Sequence, residues 1–533
     1  MVVYVNVFCM KQSTSESAVV EQSTSPFLTL SELLHPFVEL PKKFDREVWG
    51  IATDSRHVKP GYVFIAHKGY GKYDGRDFIS DALSCGAVAI ISELSLEQDT
   101  KTAMLMPAQK KNALVPHIQL SKLTSIIGHI ASKFYQQPSR QMQMFGVTGT
   151  NGKTTITTLL ARTLNKLSLK TAQIGTHGQG VDDKRLNFTG VTTPGPVDLQ
   201  AMLAGMRDDS CEAVAMEVSS HGISQHRVVG VDFDTLILSN VSRDHLDFHG
   251  SIANYRAAKR RFLTEYTARH LVVNLDDSLG KEVCRNYQGT AEIIGYTLQN
   301  ASDLYFENTL RAHQIESGLE GISMLVSFKD ITCKLKTRLV GTFNAYNLMA
   351  IIASLLTMDF ELEQIVDALR DCQPVVGRME VFGGGDKPLV VVDYAHTPAA
   401  LEEVLLSLQR YCERKLICVF GCGGNRDKGK RRLMGQVAER YADHIIITDD
   451  NPRFESSQSI VADILKGVLC PWAVQTIHDR SEALVEAITS AHAGDVVLIA
   501  GKGHENYQIV GNERTAFCDK EKVQFLLNLK TDL

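Results

Sequence analysis

At 533 residues the chain is longer than one hydrophobic core can organise, and roughly two to four domains are expected. A composition 44% hydrophobic and 22% charged argues against extensive disorder. A formal net charge of -5 excludes bulk attraction to nucleic acid or an anionic membrane, so any anionic ligand must be held by local sites. The 11 cysteines form no paired framework. Cys418 and Cys422, the closest pair, flank an apolar run that ends in a glycine turn rather than a C-x-x-C knuckle. Reduced thiols and a cytoplasmic location are the expectation. No apolar run approaches the roughly 18 residues that span a bilayer, so the chain is not expected to be membrane-embedded.

In chain order, Val2 to Met10 is apolar but short, and without a basic leader or a small-residue cleavage site it makes a poor signal peptide. Residues 1–25 read as a disordered lead-in, with Ser13 to Ser25 rich in Ser, Thr, Glu and Gln, and with Met10 as a candidate start beside Met1. From Trp49 to Ile91 the pattern passes from strand to turn to helix, with apolar alternation around Val63 to Ala66 and an amphipathic stretch Phe78 to Cys85 followed by Val88 to Ile91, which predicts a small α/β domain over 26–121. A polar connection rich in Lys, Gln and Pro, from Glu97 to Pro116, is expected to be an exposed loop before the next domain.

The middle of the chain repeats one arrangement, an apolar run that stops at a polar or glycine-rich loop. Met144 to Val147 leads into Thr148-Gly149-Thr150-Asn151-Gly152-Lys153-Thr154, Ala213 to Met216 into Glu217 to His221, and Thr235 to Leu238 into Ser239 to His249. After Gly377 the arrangement returns. Leu389 to Val392 leads into Asp393 to His396, Leu416 to Phe420 into Gly421 to Lys430, Ile445 to Thr448 into Asp449 to Arg453, and Val496 to Ala500 into Gly501 to Glu505. Helical segments Ala399 to Gln409 and Ser481 to Ala491 separate these strands. The fold class is therefore α/β with three domains, the second over 122–373 and the third over 374–533, and ligands are expected beyond the carboxyl ends of the strands.

The run Thr148 to Thr154 followed by the helix-forming Thr155 to Leu164 supplies backbone N–H groups and a helix N-terminus for phosphate oxygens. It also supplies a lysine for the β/γ charge and a hydroxyl for magnesium. The strict P-loop spacing fails because Val147 occupies the first glycine position, yet strand, loop, Gly-Lys-Thr and helix in this order predict nucleotide binding. Glu217 is a candidate magnesium ligand, weighed against a solvated strand-end glutamate. His245 and His249 stand four apart, but H-L-D-F-H lacks the glutamate of a zinc protease. Lys259, in Ala257-Ala258-Lys259-Arg260-Arg261-Phe262, reads by itself as part of a solvated helix face.

These residues resemble the Mur ligase family over nearly the whole chain, apart from the lead-in and the weakly patterned Leu279 to Lys336. The likeness rests on TGTNGKT at Thr148 to Thr154, EVSSHG at Glu217 to Gly222, SRDHLDFHG at Ser242 to Gly250, Asn344 and Asn347 in GTFNAYN, GRME at Gly377 to Glu380, and DYAHTP at Asp393 to Pro398. It implies an N-terminal UDP-binding domain, a central P-loop ATPase with a parallel-rich sheet and a C-terminal Rossmann-like domain. It also implies ATP contacts at Gly149, Thr150, Asn151, Gly152, Lys153, Thr154, Thr155, Asn347 and Arg378, near Asp393, and catalytic roles for Lys153, Glu217, His245 and Lys259. Thr154, Glu217, His245 and Lys259 would hold Mg2+, Lys259 as a CO2-derived carbamate. Carbamylation needs a neutral amine, which burial or the adjacent Arg260 and Arg261 would favour.

Within the family, Asp450-Asn451-Pro452-Arg453 is similar to the motif by which members recognise meso-2,6-diaminopimelate. Diaminopimelate differs from lysine by a distal carboxylate, which a guanidinium fork binds bidentately. The same resemblance places Arg426, Asp450, Asn451, Pro452, Arg453, Gly501 and Glu505 on the amino acid, Glu505 suiting an ammonium and Arg426 a carboxylate. It places Thr53, Ser55, Lys72, Tyr73, Thr192, Thr193, Ser219, Gln225 and Arg227 on UDP-N-acetylmuramoyl-L-alanyl-D-glutamate, although the loop Gly69 to Arg76 differs in length from the family pattern. The implied reaction is an ATP-dependent addition of the amino acid to the D-glutamate γ-carboxylate through an acyl phosphate, in peptidoglycan biosynthesis, by a monomer without nucleic-acid partners. The alternatives are a lysine-adding or folylpolyglutamate-synthase-like ligase and, in a different class, a P-loop switch. A switch has no need of the Asp/His and GKGHE loops.

Overall fold

The structure, a computed structural model, describes residues 28–69, 74–94, 114–181, 186–188, 190–299 and 306–529, and the main chain of 102–107. The lead-in and the candidate residues Lys72 and Tyr73 lie outside the described residues. The chain divides into two compact units, Met1–Leu123 and Thr124–Leu533.

The first unit carries a five-stranded sheet in the order Gly50–Ala52, Tyr62–Ala66, Ala89–Glu93, Leu114–Leu120, Thr102–Pro107. Its first four strands are parallel and the last pairs antiparallel. The stretch expected to be an exposed loop, Glu97 to Pro116, therefore contributes two paired strands. Its Lys, Gln and Pro residues drew the loop reading, whereas Thr102-Ala-Met-Leu-Met106 is apolar enough to pair at the sheet edge. Val63, Phe64, Ile65, Ile90 and Ile91 are fully buried, as expected of parallel strands covered on both faces.

The second unit holds two sheets. The larger has ten strands in the order Gly178–Gly180, Thr171–Gly175, Ala213–Glu217, Gln143–Thr148, Thr235–Leu238, His270–Asn274, Glu292–Thr297, Thr309–Gly318, Gly321–Phe328, Ile331–Thr337. From Thr171–Gly175 through Thr309–Gly318 neighbours run parallel, and the last three strands form an antiparallel meander. That meander falls in the weakly patterned Leu279 to Lys336, where alternating buried and exposed residues leave no continuous apolar run. In the parallel part, alternate residues serve opposite cores. Phe145, Val147, Ala215 and Ile237 pack on the helices Lys153–Lys166 and Thr342–Leu356, while Met144, Val214, Met216 and Leu236 pack on Pro196–Asp208 and Ile252–Glu265.

The strand Gln143–Thr148 lies between Ala213–Glu217 and Thr235–Leu238, so successive crossovers leave it toward opposite sides. The sheet thereby opens a crevice at the carboxyl ends of these three strands. The smaller sheet, in the order Glu380–Gly383, Leu389–Asp393, Val496–Ala500, Leu416–Phe420, His444–Ile447, Gln475–Thr476, is parallel apart from its first strand. The α/β class with parallel-rich sheets is thus observed. No helix among the described residues is long and apolar enough to cross a membrane.

A fully buried ion pair supports the carboxyl end of a central strand of this smaller sheet. Arg480 Nε donates to Asp519 Oδ1 at 2.8 Å, and Arg480 Nη2 donates to the Ala500 carbonyl at 3.0 Å, where the chain turns into Gly501 to Glu505. Removing one partner strands a buried charge. Asp519→Ala should therefore lower unfolding free energy in urea by about 3–5 kcal/mol, and a loss under about 1 kcal/mol would contradict this account.

Candidate active site

The P-loop is shaped by two glycines that no other residue could replace without movement. Gly149 (φ +156°) lies so close to Ser239 that a Cβ would strike its hydroxyl, and Gly152 (φ +86°) would drive a Cβ into Asn347 Oδ1. Gly152 caps the helix Lys153–Lys166, so the loop's N–H groups and the helix N-terminus point to one place. Asn151 N donates to Asn240 Oδ1 at 3.0 Å and Ser239 Oγ donates to Asn151 O at 2.6 Å, pinning the loop to the neighbouring strand end.

Two lysines meet on one carbonyl of this loop. Lys153 Nζ donates to Gly149 O at 2.9 Å and to Thr150 O at 2.9 Å, while Lys259 Nζ donates to Gly149 O at 2.6 Å. Lys259 is 1% exposed and lies over the Tyr255 ring at 4.8 Å, which corrects the solvated-face reading. Tyr255, Ala258, Lys259 and Phe262 form the buried stripe of their helix. Arg260 and Arg261 instead face outward to Glu282 and Glu265, both pairs within 2.9 Å. Burial, and then the neighbouring Lys153, holds the Lys259 amine well below the ordinary lysine range, so the adjacent arginines are not the cause. Desolvation also lowers Lys153, against the pull of Glu217 and Asp244.

Glu217 is likewise buried rather than solvated, at 1% exposure. Thr176 donates to it twice, from N at 2.8 Å and from Oγ1 at 3.2 Å. Thr154 is buried and accepts from Arg378 Nη2 at 3.2 Å, a bond that joins the P-loop to the segment leading into the smaller sheet. His245, held in a left-handed conformation (φ +54°), has Nε2 at 3.3 Å from Asp244 Oδ2. Burial pushes its imidazole down to about 2, leaving it neutral and able to act as a ligand.

Asp244 ties the two sheets together. It lies 3.4 Å from Lys430 Nζ and 3.7 Å from His396 Nε2, both on the C-terminal side, and beside it Arg243 pairs with Asp427 at 3.2 Å. Burial raises its carboxyl, but Lys430 and His396 outweigh that and hold it well below the usual range. Spacing along the chain gives no sign of these contacts, and neither Asp244 nor Lys430 was singled out from sequence.

Three cavities of about 310, 130 and 680 Å3 share walls here. The first lies between Asn347, Asp277, Tyr346 and Asp393, with Thr155 on its floor. The second is the P-loop chamber, lined by Thr154, Glu217, Ser219, His245 and Lys259. The third extends from Thr176, Thr192 and His245 to Arg426, Asp450, Asn451, Arg453, Gly501 and Glu505. Arg378 crosses between the first two over the Tyr394 ring at 4.5 Å, and Asp393 accepts from Met379 N at 2.8 Å.

In the large cavity Arg453 (φ +54°) directs Nη1 to Gly424 O at 3.0 Å, and Arg426 stands exposed opposite it. Glu505 accepts from Asn451 Nδ2 at 2.8 Å and lies 3.3 Å from the fully buried Lys502 amine. Lys502, missed in the sequence reading, also donates to Tyr507 O at 2.7 Å and so orients Glu505. Gly501 (φ +110°) lies against Asp450, and Pro452 backs onto Gly424.

Thr192 and Thr193 stand beside the P-loop chamber. Thr193 Oγ1 donates to Glu217 O at 3.0 Å, Ser219 N donates to Thr193 Oγ1 at 3.0 Å, and Arg227, contacting Gln225, donates to Thr193 O at 2.7 Å. Thr53 and Ser55 belong to the first unit, where Ser55 is buried in a short 3-10 turn capped by Asp54.

The donor set suits magnesium. Among the described residues no three His, Cys, Asp or Glu side chains form a metal cage. Magnesium instead takes few protein ligands and completes its shell with phosphate and water, which Thr154, Glu217 and His245 around a small polar chamber would allow. An anion on Lys259 would also relieve the juxtaposed amines, so a carbamate fits.

Three family models match in succession: "Mur ligase family, catalytic domain" over residues 47–135, "Mur ligase middle domain" over 147–355 and "Mur ligase, glutamate ligase domain" over 377–503. The chain is 42% identical over 478 residues to the UDP-N-acetylmuramoyl-L-alanyl-D-glutamate--2,6-diaminopimelate ligase of Ectopseudomonas mendocina, covering 88% of this chain and 93% of the relative. A solved structure of a protein with that enzyme name superposes with TM-score 0.66 at 34% identity, covering 95% of this chain and 100% of the other. The MurF ligase of Thermotoga maritima, solved in complex with ADP, shares the fold at TM-score 0.59 and 16% identity, covering 90% and 97%.

The packing of Gly152 against Asn347 leaves no space for a methyl group. Gly152→Ala should therefore weaken ATP binding, measured by titration calorimetry, by at least about tenfold while the fold persists, and affinity within about twofold of the parent would contradict the packing argument.

Proposed function

Because the chain belongs to the Mur ligase family, we propose that it is an ATP-dependent ligase adding meso-2,6-diaminopimelate to the γ-carboxylate of UDP-N-acetylmuramoyl-L-alanyl-D-glutamate in peptidoglycan synthesis. The observation that carries this reading is the shared wall at Asp244, His245, Tyr394 and His396, through which the P-loop chamber joins a cavity bearing Arg426, Arg453 and Glu505. The first cavity accepts the nucleoside of ATP, with Asn347 and the Arg378 and Asp393 region against it.

Amide formation from a carboxylate is uphill in water, so the carboxylate must be activated. Its oxygen attacks the γ-phosphorus of ATP, the bond to the β-phosphate oxygen breaks, and acyl phosphate and ADP result. Two anions must come into contact, so the residues around them supply positive charge and position. Lys153 turns from its own loop carbonyls to the β/γ oxygens, and the N–H groups of Gly149 to Thr155 hold the phosphates. Magnesium, held by Thr154, Glu217 and His245 and by carbamylated Lys259, supplies further neutralisation when bound. The amino acid then attacks the acyl carbon as a free amine, the nitrogen gives up one proton to solvent or to the departing phosphate, and phosphate leaves with the bonding pair.

Arg453 and Arg426 hold the carboxylate at the end away from the reacting amine, and Glu505, aimed by Lys502, takes the distal ammonium, with Asp450, Asn451, Pro452 and Gly501 shaping that end. Thr192, Thr193, Ser219, Gln225 and Arg227 hold the muramoyl dipeptide, and Thr53, Ser55, Lys72 and Tyr73 the uridine end. This reading keeps domains at 26–121, 122–373 and 374–533 and takes the enzyme as a cytoplasmic monomer.

The test is ADP release with the UDP-muramoyl dipeptide and each amino acid in turn. Diaminopimelate should drive rapid turnover and L-lysine only slow turnover, and Arg453→Ala should raise KM for diaminopimelate by roughly 10- to 100-fold, the loss of a charge-assisted pair. Equal use of lysine would make this a lysine-adding ligase. Separately, 13C-bicarbonate should give a carbamate carbon resonance that disappears in Lys259→Arg. Lys259→Ala should lose activity and regain part of it with added short carboxylates, and full activity without them would remove the carbamate from the account.

A further inference from the structure

The two guanidiniums that grip the amino acid stand on separate loops. Arg426 follows the strand Leu416–Phe420 and Arg453 follows His444–Ile447. One distal carboxylate is gripped by both guanidiniums only when the distance between those loops is fixed, and several contacts fix it. Gly424 N donates to Asn451 O at 2.9 Å, and Phe454 N donates to Asn425 Oδ1 at 3.2 Å. Asn425 (φ +52°) and Arg453 (φ +54°) both occupy the left-handed region, which asparagine tolerates but arginine disfavours, so the second loop in particular needs outside support.

One carboxylate supplies that support to both. Glu455, two residues beyond Arg453, accepts from the main-chain N–H of Asn425, the residue just before Arg426, at 2.6 Å, and its other oxygen accepts from Arg431 Nη1 at 2.9 Å. Arg431 is 0% exposed and lies on the helix Gly429–Tyr441 into which the first loop runs. Its Nη2 donates to Gly423 O at 3.1 Å, and its Nη1 also reaches Asp463 at 3.1 Å. The bracket therefore touches the first loop at residues 423 and 425 and the second at 455, with Arg426 and Arg453 suspended between. The Arg431 hydrogen bond outweighs burial and keeps the Glu455 carboxyl below the usual glutamate range, so the bracket is charged throughout the neutral range.

We propose that Glu455, braced by Arg431, is a specificity-determining positioning residue: it sets the separation of Arg426 and Arg453, and with it the preference for an amino acid carrying a second carboxylate. This rests on the proposed function. Guanidinium–carboxylate recognition fails when the fork is displaced by roughly 0.5 Å, so a loosened bracket costs the distal carboxylate its partner while leaving the ATP chamber intact. Lysine has no such group to lose.

The experiment compares Glu455→Gln, Glu455→Ala and Arg431→Lys with the parent and with Arg453→Ala, using steady-state kinetics for each substrate and thermal melts. Glu455→Gln keeps the shape and an oxygen for Asn425 N, and Arg431→Lys keeps the charge but cannot bridge Gly423 and Glu455. KM for diaminopimelate should rise by about tenfold or more in Glu455→Ala and by less in Glu455→Gln, with KM for ATP and for the UDP-muramoyl dipeptide within about twofold. The diaminopimelate-to-lysine ratio of kcat/KM should fall at least about tenfold, by loss of diaminopimelate use rather than gain of lysine use. An unchanged ratio, or a fall in kcat alone that tracks a lowered melting temperature, overturns the proposal. Should Glu455→Ala not fold, the isosteric Gln variant decides it by the same ratio. If Arg453→Ala also leaves KM for diaminopimelate unchanged, the proposed function has failed. If only the Glu455 variants do so, this inference alone has failed.

Discussion

Two lysine amines buried against a single carbonyl oxygen, that of Gly149, set the terms for the surrounding structure. Two amines so close in a desolvated chamber disfavour a positive charge on both, and the described residues place no carboxylate within ion-pairing distance of either. Such a chamber is stabilised by anions brought from outside, and phosphate oxygens, a substrate carboxylate and a carbamate are the anions that the proposed chemistry delivers. The lowered basicity of Lys259 follows first from its burial and then from this crowding, and it is the condition under which an amine reacts with carbon dioxide.

Much of the remaining architecture keeps this chamber small and closed. Gly149 and Gly152 allow Ser239 and Asn347 to press on the loop from opposite sides. The C-terminal sheet completes the wall through Arg378 on Thr154, Thr397 near Asn151, and Lys430 with His396 on Asp244. An enzyme that must keep an acyl phosphate from water benefits from a wall supplied by a second sheet, since the chamber is complete only when both sheets are in place.

The parts of this site that the sequence revealed are those carried by a single strand and the loop after it. Each apolar run in the parallel sheets ends at a polar motif, so the P-loop, Glu217, Asp393, Arg453 and Glu505 could be placed at strand ends from the pattern alone. The burial of Lys259 was also legible in principle, because Tyr255, Ala258 and Phe262 flank it at helical spacing, although two neighbouring arginines hid the stripe. Partners distant in sequence were not legible. Asp244 and Lys430 are separated by 186 positions, and nothing local to either marks the other. Lys502 beside Glu505 and Arg431 beside Glu455 are buried charges whose sense appears only once the fold has paired them. The antiparallel meander after Glu292 escaped notice because strands with one wet face carry half the apolar signal of buried parallel ones.

The central claim is that the positive charge gathered at this chamber, from Lys153, the loop N–H groups and magnesium when bound, lets a carboxylate oxygen attack the phosphorus of ATP. The most direct measurement is oxygen transfer: the D-glutamate γ-carboxylate of the UDP-muramoyl dipeptide is labelled with 18O, and the inorganic phosphate released during ligation is analysed by mass spectrometry. The account predicts one labelled oxygen in each phosphate formed with product, whereas unlabelled phosphate, with both 18O atoms accounted for in peptide or water, would contradict it.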